Sequence, residues 1–262
     1  MTRHRLATII AAGLLLVGAV ACGSTERVPY DSKNDWKPPP TSPSDTTTTM
    51  PDPPGRHYIA TAPTADQPVA LFQTAGGEES PITVPNPNEH GVIATFLVLQ
   101  RGVQADGEEW LEVALPVRPN GSTAWVRASD VTISFTDLVV TIALTEHRLR
   151  VTQGGDEVIK DFPIGVGTTE TPTPGGVFFI KELLRPTNSD GAYGPYAFGL
   201  SGFSNVITES DQFGDGVIGI HGTNQPETVG TDVSHGCIRL LNEDLSQLVG
   251  LLPLGTPVEV IA

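Results

Sequence analysis

The sequence predicts a mainly β protein with one short helix close to its C-terminus. Three observations predict this class. The apolar runs are short and stop at Gly, Pro, Asn or Asp, and 28 Gly and 23 Pro among 262 residues punctuate the chain too often for long helices. Larger apolar residues alternate in Leu111-Glu112-Val113-Ala114-Leu115, and Leu149 and Val151 alternate with Arg148 and Arg150, the period of a half-buried strand. A helical apolar face shows in Leu245, Leu248 and Val249, after Asn242, the predicted N-cap, with Glu243 and Asp244 in a first turn where acidic groups suit the helix dipole.

The N-terminus reads as a targeting segment. Arg3 and Arg5 are its positive region, and Leu6 to Ala21 is apolar or small apart from Thr8. That run is short for a bilayer span, which takes about twenty residues, and suits a secretory apolar region. Ala19-Val20-Ala21-Cys22 resembles a bacterial lipobox, in which small residues precede a cysteine that is lipidated and becomes the mature N-terminus. The resemblance implies a signal peptide over 1–21, lipidation at Cys22, and a protein held on the outer face of the plasma membrane, facing the cell wall. Residues 22–56, with WKPPPTSPSDTTTTMPDPPGR, are too rich in Pro, Thr and Ser to bury a core and read as an extended tether.

Charge narrows the partners. The chain carries −15, and removing the two arginines of residues 1–21 leaves −17. Such a balance argues against nucleic acid and against direct contact with anionic lipid surfaces.

Residues 57–135 read as a small all-β domain. Val92 to Leu99 is a short apolar run, Pro119-Asn120-Gly121 is a turn, and Thr123 to Val126 begins another strand. The stretch EEWLEVALPVRPNGSTAWVRASDV resembles bacterial SH3-like domains, which implies a small barrel for binding or spacing. Trp110 and Trp125 are read as packing residues of that barrel. From 137 to 262 the strand pattern continues. Gly154-Gly155 is a hairpin turn before Val158-Ile159. Pro172-Thr173-Pro174-Gly175-Gly176 turns into Val177 to Ile180, and Gly255-Thr256-Pro257 turns into Val258 to Ile261. The junction between the two units, Ser134 to Asp137, is too short for a free linker.

Val217 to Ile220 reads as a buried strand ending at His221. A polar, turn-rich loop follows and then Ser234-His235-Gly236-Cys237. Two of six histidines and one of two cysteines fall within these seventeen residues. If Cys22 carries lipid, Cys237 is an unpaired thiol in an exported chain, which marks it as a candidate nucleophile. A loop of this length can return His221 to Cys237, where the imidazole would accept the thiol proton. Gly236 lets the backbone approach a substrate, and the N–H groups of Gly236 and Cys237 could hold an oxyanion. Spacing alone leaves inert packing open. It also leaves open a zinc site of His221, His235 and Cys237, although no Cys-x-x-Cys or His-Glu-x-x-His motif supports one.

The wider pattern is more specific. His221-Gly-Thr, a spacer, then Ser-His-Gly-Cys-Ile-Arg-Leu closely resembles the active-site signature of the L,D-transpeptidases with a YkuD-type catalytic domain. Thr171-Pro-Thr-Pro-Gly-Gly-Val-Phe resembles the family's upstream segment, and Tyr193-Gly-Pro-Tyr196 its intervening aromatic segment. The resemblance covers 137 to 262 and implies a β-rich catalytic domain with a short helix after the nucleophile. It implies that Cys237 attacks a peptide carbonyl, that His221 is base and then acid, and that the carbonyl of Gly222 orients the imidazole. Ser234 and His235 would shape the site. The backbone of His235, Gly236 and Cys237 would form the oxyanion hole, while Arg239, Tyr193 and Tyr196 are candidate substrate contacts. The implied reaction joins peptidoglycan stem peptides 3→3 with release of D-alanine. Hydrolysis by the same residues, or a non-catalytic wall-binding role, are the alternatives. No cofactor and no metal are expected, and β-lactams, carbapenems especially, are expected to acylate the thiol.

Overall fold

The computed structural model describes residues 53–208 and 215–262, so the expected signal peptide, most of the expected tether and Cys22 lie outside the described residues. The described chain is mainly β, and two sheets account for most of it.

The first sheet joins β1 (His57–Thr61), β2 (Thr95–Ala105), β3 (Glu108–Ala114), β4 (Thr123–Arg127) and β5 (Thr132–Thr136) in the order β4-β3-β2-β1-β5. The alternation at Leu111, Val113 and Leu115 does place these side chains inside, beside Phe96 and Val126. Trp110 is 2 % exposed and its indole N–H donates to the Ala105 carbonyl at 3.1 Å, whereas Trp125 is only half-buried. The strand expected at Val92–Leu99 begins at Thr95 and runs on to Ala105. Its second half is exposed and polar, so apolar patterning could not show it.

The second unit contains β6 (Leu138–Ala143), β7 (Arg148–Gln153), β8 (Glu157–Pro163), β9 (Val166–Gly167), β10 (Gly176–Leu184), β11 (Ala197–Phe203), β12 (Val217–His221), β13 (Asp232–Ser234), β14 (Ile238–Arg239), α1 (Asn242–Leu248) and β15 (Pro257–Ile261). Eight of these strands form one sheet in the order β14-β12-β11-β10-β15-β6-β7-β8, and β13 pairs with β9 separately. Gly154 and Gly155, at φ 62° and 109°, make the β7–β8 turn. Apolar side chains of β6, β7, β10, β11 and β12 bury together with Leu245 and Leu248 of α1. Each fully buried side chain of this size contributes about 1.5–3 kcal/mol. β11 buries Phe198 and Leu200, and its glycines serve close packing: a Cβ on Gly202 would lie 2.6 Å from the Phe178 ring, and one on Gly199 would lie 2.5 Å from the Glu182 carboxylate.

One correction concerns α1. Asn242 is its first helical residue, not its N-cap; Leu241 holds the cap position and no side chain caps the helix. The Asn242 side chain turns instead to the loop after His221.

A single residue, Asp137, separates β5 from β6, and the two units pack against each other. Arg56 pairs with Asp137 at 3.2 Å. The buried Glu182 carboxylate on β10 accepts from Asn88 at 2.9 Å and lies 2.7 Å from the His90 ring. The β3–β4 loop reaches the loop between β11 and β12 through Arg118 and Asn120.

Candidate active site

The site is built on a parallel strand pair. β12 and β14 lie side by side with Ile220 opposite Ile238 and His221 opposite Arg239. Parallel neighbours need a crossover, which residues 222–237 supply. The chain therefore returns beside β12 just after Cys237, which the register carries to Gly219, two residues before His221 on the same strand.

His221 is 5 % exposed. Its Nδ1 donates to the Gly222 carbonyl at 2.6 Å, which leaves Nε2 as the basic nitrogen. The Tyr193 ring packs against the imidazole with centroids 4.6 Å apart. Gly222 admits no side chain, since a Cβ would lie 2.1 Å from Asn242 Oδ1. That oxygen accepts the Thr223 N–H at 2.8 Å and fixes the loop behind the histidine. Gly222 N–H also points to the Tyr196 carbonyl, at 3.5 Å.

Cys237 is a half-buried free thiol whose Sγ lies 3.9 Å from the Val217 carbonyl of β12. The turn before it is braced by Ser234: its Oγ donates to the Cys237 carbonyl at 2.6 Å and accepts the Gly236 N–H at 3.1 Å. Gly236 sits at φ +117°, in the region open to glycine, and a Cβ there would meet Ile218 Cδ1 at 2.9 Å. The upstream threonine segment folds over the same turn, with Thr171 Oγ1 and the Thr168 N–H both donating to the Ser234 carbonyl, at 3.2 and 3.0 Å.

Electrostatics keep both groups neutral at rest. Burial lowers the His221 pKa to about 4, against the Gly222 contact that raises it, and the positive charge of Arg239 lowers it further. Burial raises the Cys237 pKa, opposed by a hydrogen bond with the Gly219 backbone and by Arg239. The Tyr193 hydroxyl is also pushed up, by burial first and then by the charge of Cys237.

The remaining residues divide. Ser234 is buried and bonded within its own turn, and His235 is exposed. Gly236 spends its N–H on Ser234, so the oxyanion donor expected there is already committed. Arg239 reaches Gln225 at 3.4 Å and its Nε is buried without an acceptor. Tyr193 touches the imidazole, whereas Tyr196 packs against the core and carries the Arg185 guanidinium 5.3 Å above its ring. Among the described residues, no three His, Cys, Asp or Glu side chains converge as metal ligands. Asn242 was missed because an Asn before an amphipathic run reads as a cap; its partner, the Thr223 N–H, leaves no mark in sequence.

Comparison with known proteins matches residues 137–260 to the L,D-transpeptidase catalytic domain of the YkuD type. YkuD of Bacillus licheniformis, named as an L,D-transpeptidase, is 36 % identical over 121 residues, covering 46 % of this chain and 64 % of the relative. YkuD of Bacillus subtilis, named likewise, is 38 % identical over 105 residues, covering 40 % and 55 %. The chain thus spans less than two thirds of the length of either. The catalytic domain of the Enterococcus faecium L,D-transpeptidase aligns at 24 % identity and TM-score 0.35, over 47 % of this chain and 96 % of that one. The family motif residues and the strand pair that carries them fall inside the segment, residues 137–260, that matches the YkuD-type L,D-transpeptidase catalytic-domain model.

Proposed function

We propose that the protein is a peptidoglycan L,D-transpeptidase working through a Cys237 acyl-enzyme. The observation that carries this reading is the His221 imidazole, held by Gly222 with Nε2 left as base, at the end of the strand paired with the one that follows Cys237. Cys237 Sγ attacks the carbonyl of the third residue of a tetrapeptide stem as its proton passes to His221 Nε2. The tetrahedral oxyanion rests on the Cys237 N–H, the donor we assign because Gly236 N–H serves Ser234. Its collapse breaks the peptide bond, and His221 returns the proton to the departing D-alanine amine, leaving a thioester. The side-chain amine of an acceptor stem then attacks the thioester, gives its proton to His221, and forms the 3→3 amide as the thiol is regenerated. Arg239 favours the thiolate as it forms, since its positive charge lowers the thiol pKa. The same thioester chemistry makes carbapenems acylating inhibitors.

In this reading Cys22 carries the lipid anchor on the outer face of the plasma membrane, residues 22–56 lift the folded units into the wall, and 57–135 is an SH3-like module. The test is incubation of the purified ectodomain with tetrapeptide muropeptides and mass analysis of products. A dimer lighter than two tetrapeptides by one alanine is the expected product. Tripeptide alone would assign water as acceptor, and unchanged substrate would refute an activity on stem peptides.

A further inference from the structure

Among the contacts between the two units, one reaches the backbone on which the thiol rests. Arg118, on the β3–β4 loop, donates to three main-chain carbonyls of the segment joining β11 to β12: Nη1 to Ser204 at 2.7 Å, and Nη2 to Ile207 at 2.8 Å and Asp215 at 2.9 Å. Asn120 grips Phe203 twice, donating to its carbonyl at 2.8 Å and accepting its N–H at 2.9 Å. The Arg118 guanidinium also lies 4.8 Å from the Phe203 ring centroid. Acceptors thus lie on both sides of the neck of this segment. The neck is closed by the Ser204 N–H on the Gly216 carbonyl at 2.7 Å. Gly216 has φ +76°, and a Cβ there would lie 2.2 Å from the Ile207 carbonyl oxygen and 2.8 Å from Arg118 Nη2, so the crossing has no slack.

The next residue is Val217, whose N–H is taken by Asp215 Oδ1 at 3.1 Å and whose carbonyl lies 3.9 Å from Cys237 Sγ. One residue, Gly216, separates the Asp215 carbonyl that Arg118 holds from the Val217 carbonyl against which the thiol rests. Charge-assisted bonds to three carbonyls resist displacement more than neutral ones. A reacting group must be held to a fraction of an ångström to keep its rate.

We propose that Arg118, supported by Asn120, is a positioning residue for the nucleophile: the N-terminal unit sets the start of β12 and through it the seat of the Cys237 thiol. The proposal rests on the reading of Cys237 as nucleophile. It makes the first unit part of the catalytic apparatus as well as a spacer.

The experiment uses the full ectodomain and four variants: Arg118→Ala, Arg118→Lys, Asn120→Ala and, as a control on the other face of the interface, His90→Ala. Iodoacetamide labelling of Cys237 is followed by intact mass across pH, alongside kcat, KM and thermal midpoint. The groups that bear electrostatically on the thiol, Tyr193 and Arg239, stay the same in all four, as does His221. Arg118→Ala is expected to lower kcat on the order of tenfold, as a small misplacement of a reacting group does, with KM within about twofold. Its thiol, less firmly seated and more hydrated, should label faster near neutral pH than wild type. Arg118→Lys should recover part of kcat and Asn120→Ala should lose less, while His90→Ala should keep the wild-type labelling profile. The proposal is overturned if Arg118→Ala lowers only the thermal midpoint, or if His90→Ala changes labelling equally. Should Arg118→Ala not fold, Asn120→Ala and Arg118→Lys decide by the same readouts. Labelling needs no turnover, so a wild-type protein inactive on muropeptides would sink the proposed function and leave this test standing.

Discussion

At the residue scale, the proposed catalytic pair, His221 and Cys237, is distinguished by what burial does to it. A His221 pKa of about 4 means the imidazole is neutral, hence able to act as a base, from mildly acidic pH upward. Acylation should therefore be nearly flat through neutrality and fall only as pH approaches that value. His221→Ala removes the acceptor of the thiol proton. Its acylation should be weak at neutral pH and recover only well into the alkaline range, because burial raises the pKa of Cys237. Adduct formation with a carbapenem, followed by mass across pH, checks this; a variant with the wild-type profile would remove His221 from the role. The same burial has a consequence for stability. Unfolded, His221 titrates near 6.5, so between that value and about 4 the unfolded chain binds the extra proton and stability falls as pH falls. The loss amounts to roughly 3 kcal/mol at about 1.4 kcal/mol per pKa unit. His221→Gln should erase that part of the acid dependence, measured as the difference in unfolding free energy between pH 7 and pH 4.5. An equal loss in both proteins would contradict it.

At the element scale, β12 and β14 do what no local propensity announces. Val217 to Ile220 is apolar and legible as a strand. Its parallel pairing with a two-residue strand after Cys237 depends on the crossover between them, and on bonds such as Gly165 N–H to the Arg239 carbonyl at 2.9 Å. The motif residues were legible because chemistry restricts them: a thiol, an imidazole and a glycine at φ +117° leave few substitutes. Asn242, Arg118 and the glycines of β11 were not legible, since their partners are backbone groups or side chains far away in sequence. Asn242 yields a direct test. Removing its side chain leaves the buried Thr223 N–H without an acceptor, a cost of about 1–3 kcal/mol. Asn242→Ala should lower stability by that amount and reduce turnover, while Asn242→Asp, which keeps the oxygen, should retain most of both. Denaturant unfolding and turnover of the two variants check it, and an Ala variant equal to wild type would show that the contact anchors nothing.

At the scale of the whole molecule, the sequence predicts an anchor, a tether and two β units, and Asp137 is the residue between the last strand of the first sheet and the first strand of the second in chain order. What it could not show is how closely the units interlock, because Arg118, Asn120, Asn88 and His90 are ordinary polar residues until their partners are known. The anchor makes its own prediction: Cys22→Ala should move the protein from the membrane fraction to soluble or unprocessed forms, since a lipoprotein's several acyl chains hold a membrane far more firmly than one. Unchanged fractionation with normal processing would contradict lipidation there. A Cys237 acyl-enzyme on peptidoglycan stems can be trapped and weighed. The ectodomain is mixed with a tetrapeptide stem, quenched in acid within milliseconds to seconds, and weighed intact, with Cys237→Ala in parallel. The expected wild-type mass is increased by the stem less D-alanine, on a peptide that contains Cys237, and the increase is absent from the variant. The same adduct on Cys237→Ala, or a wild-type adduct on any other residue, would contradict it.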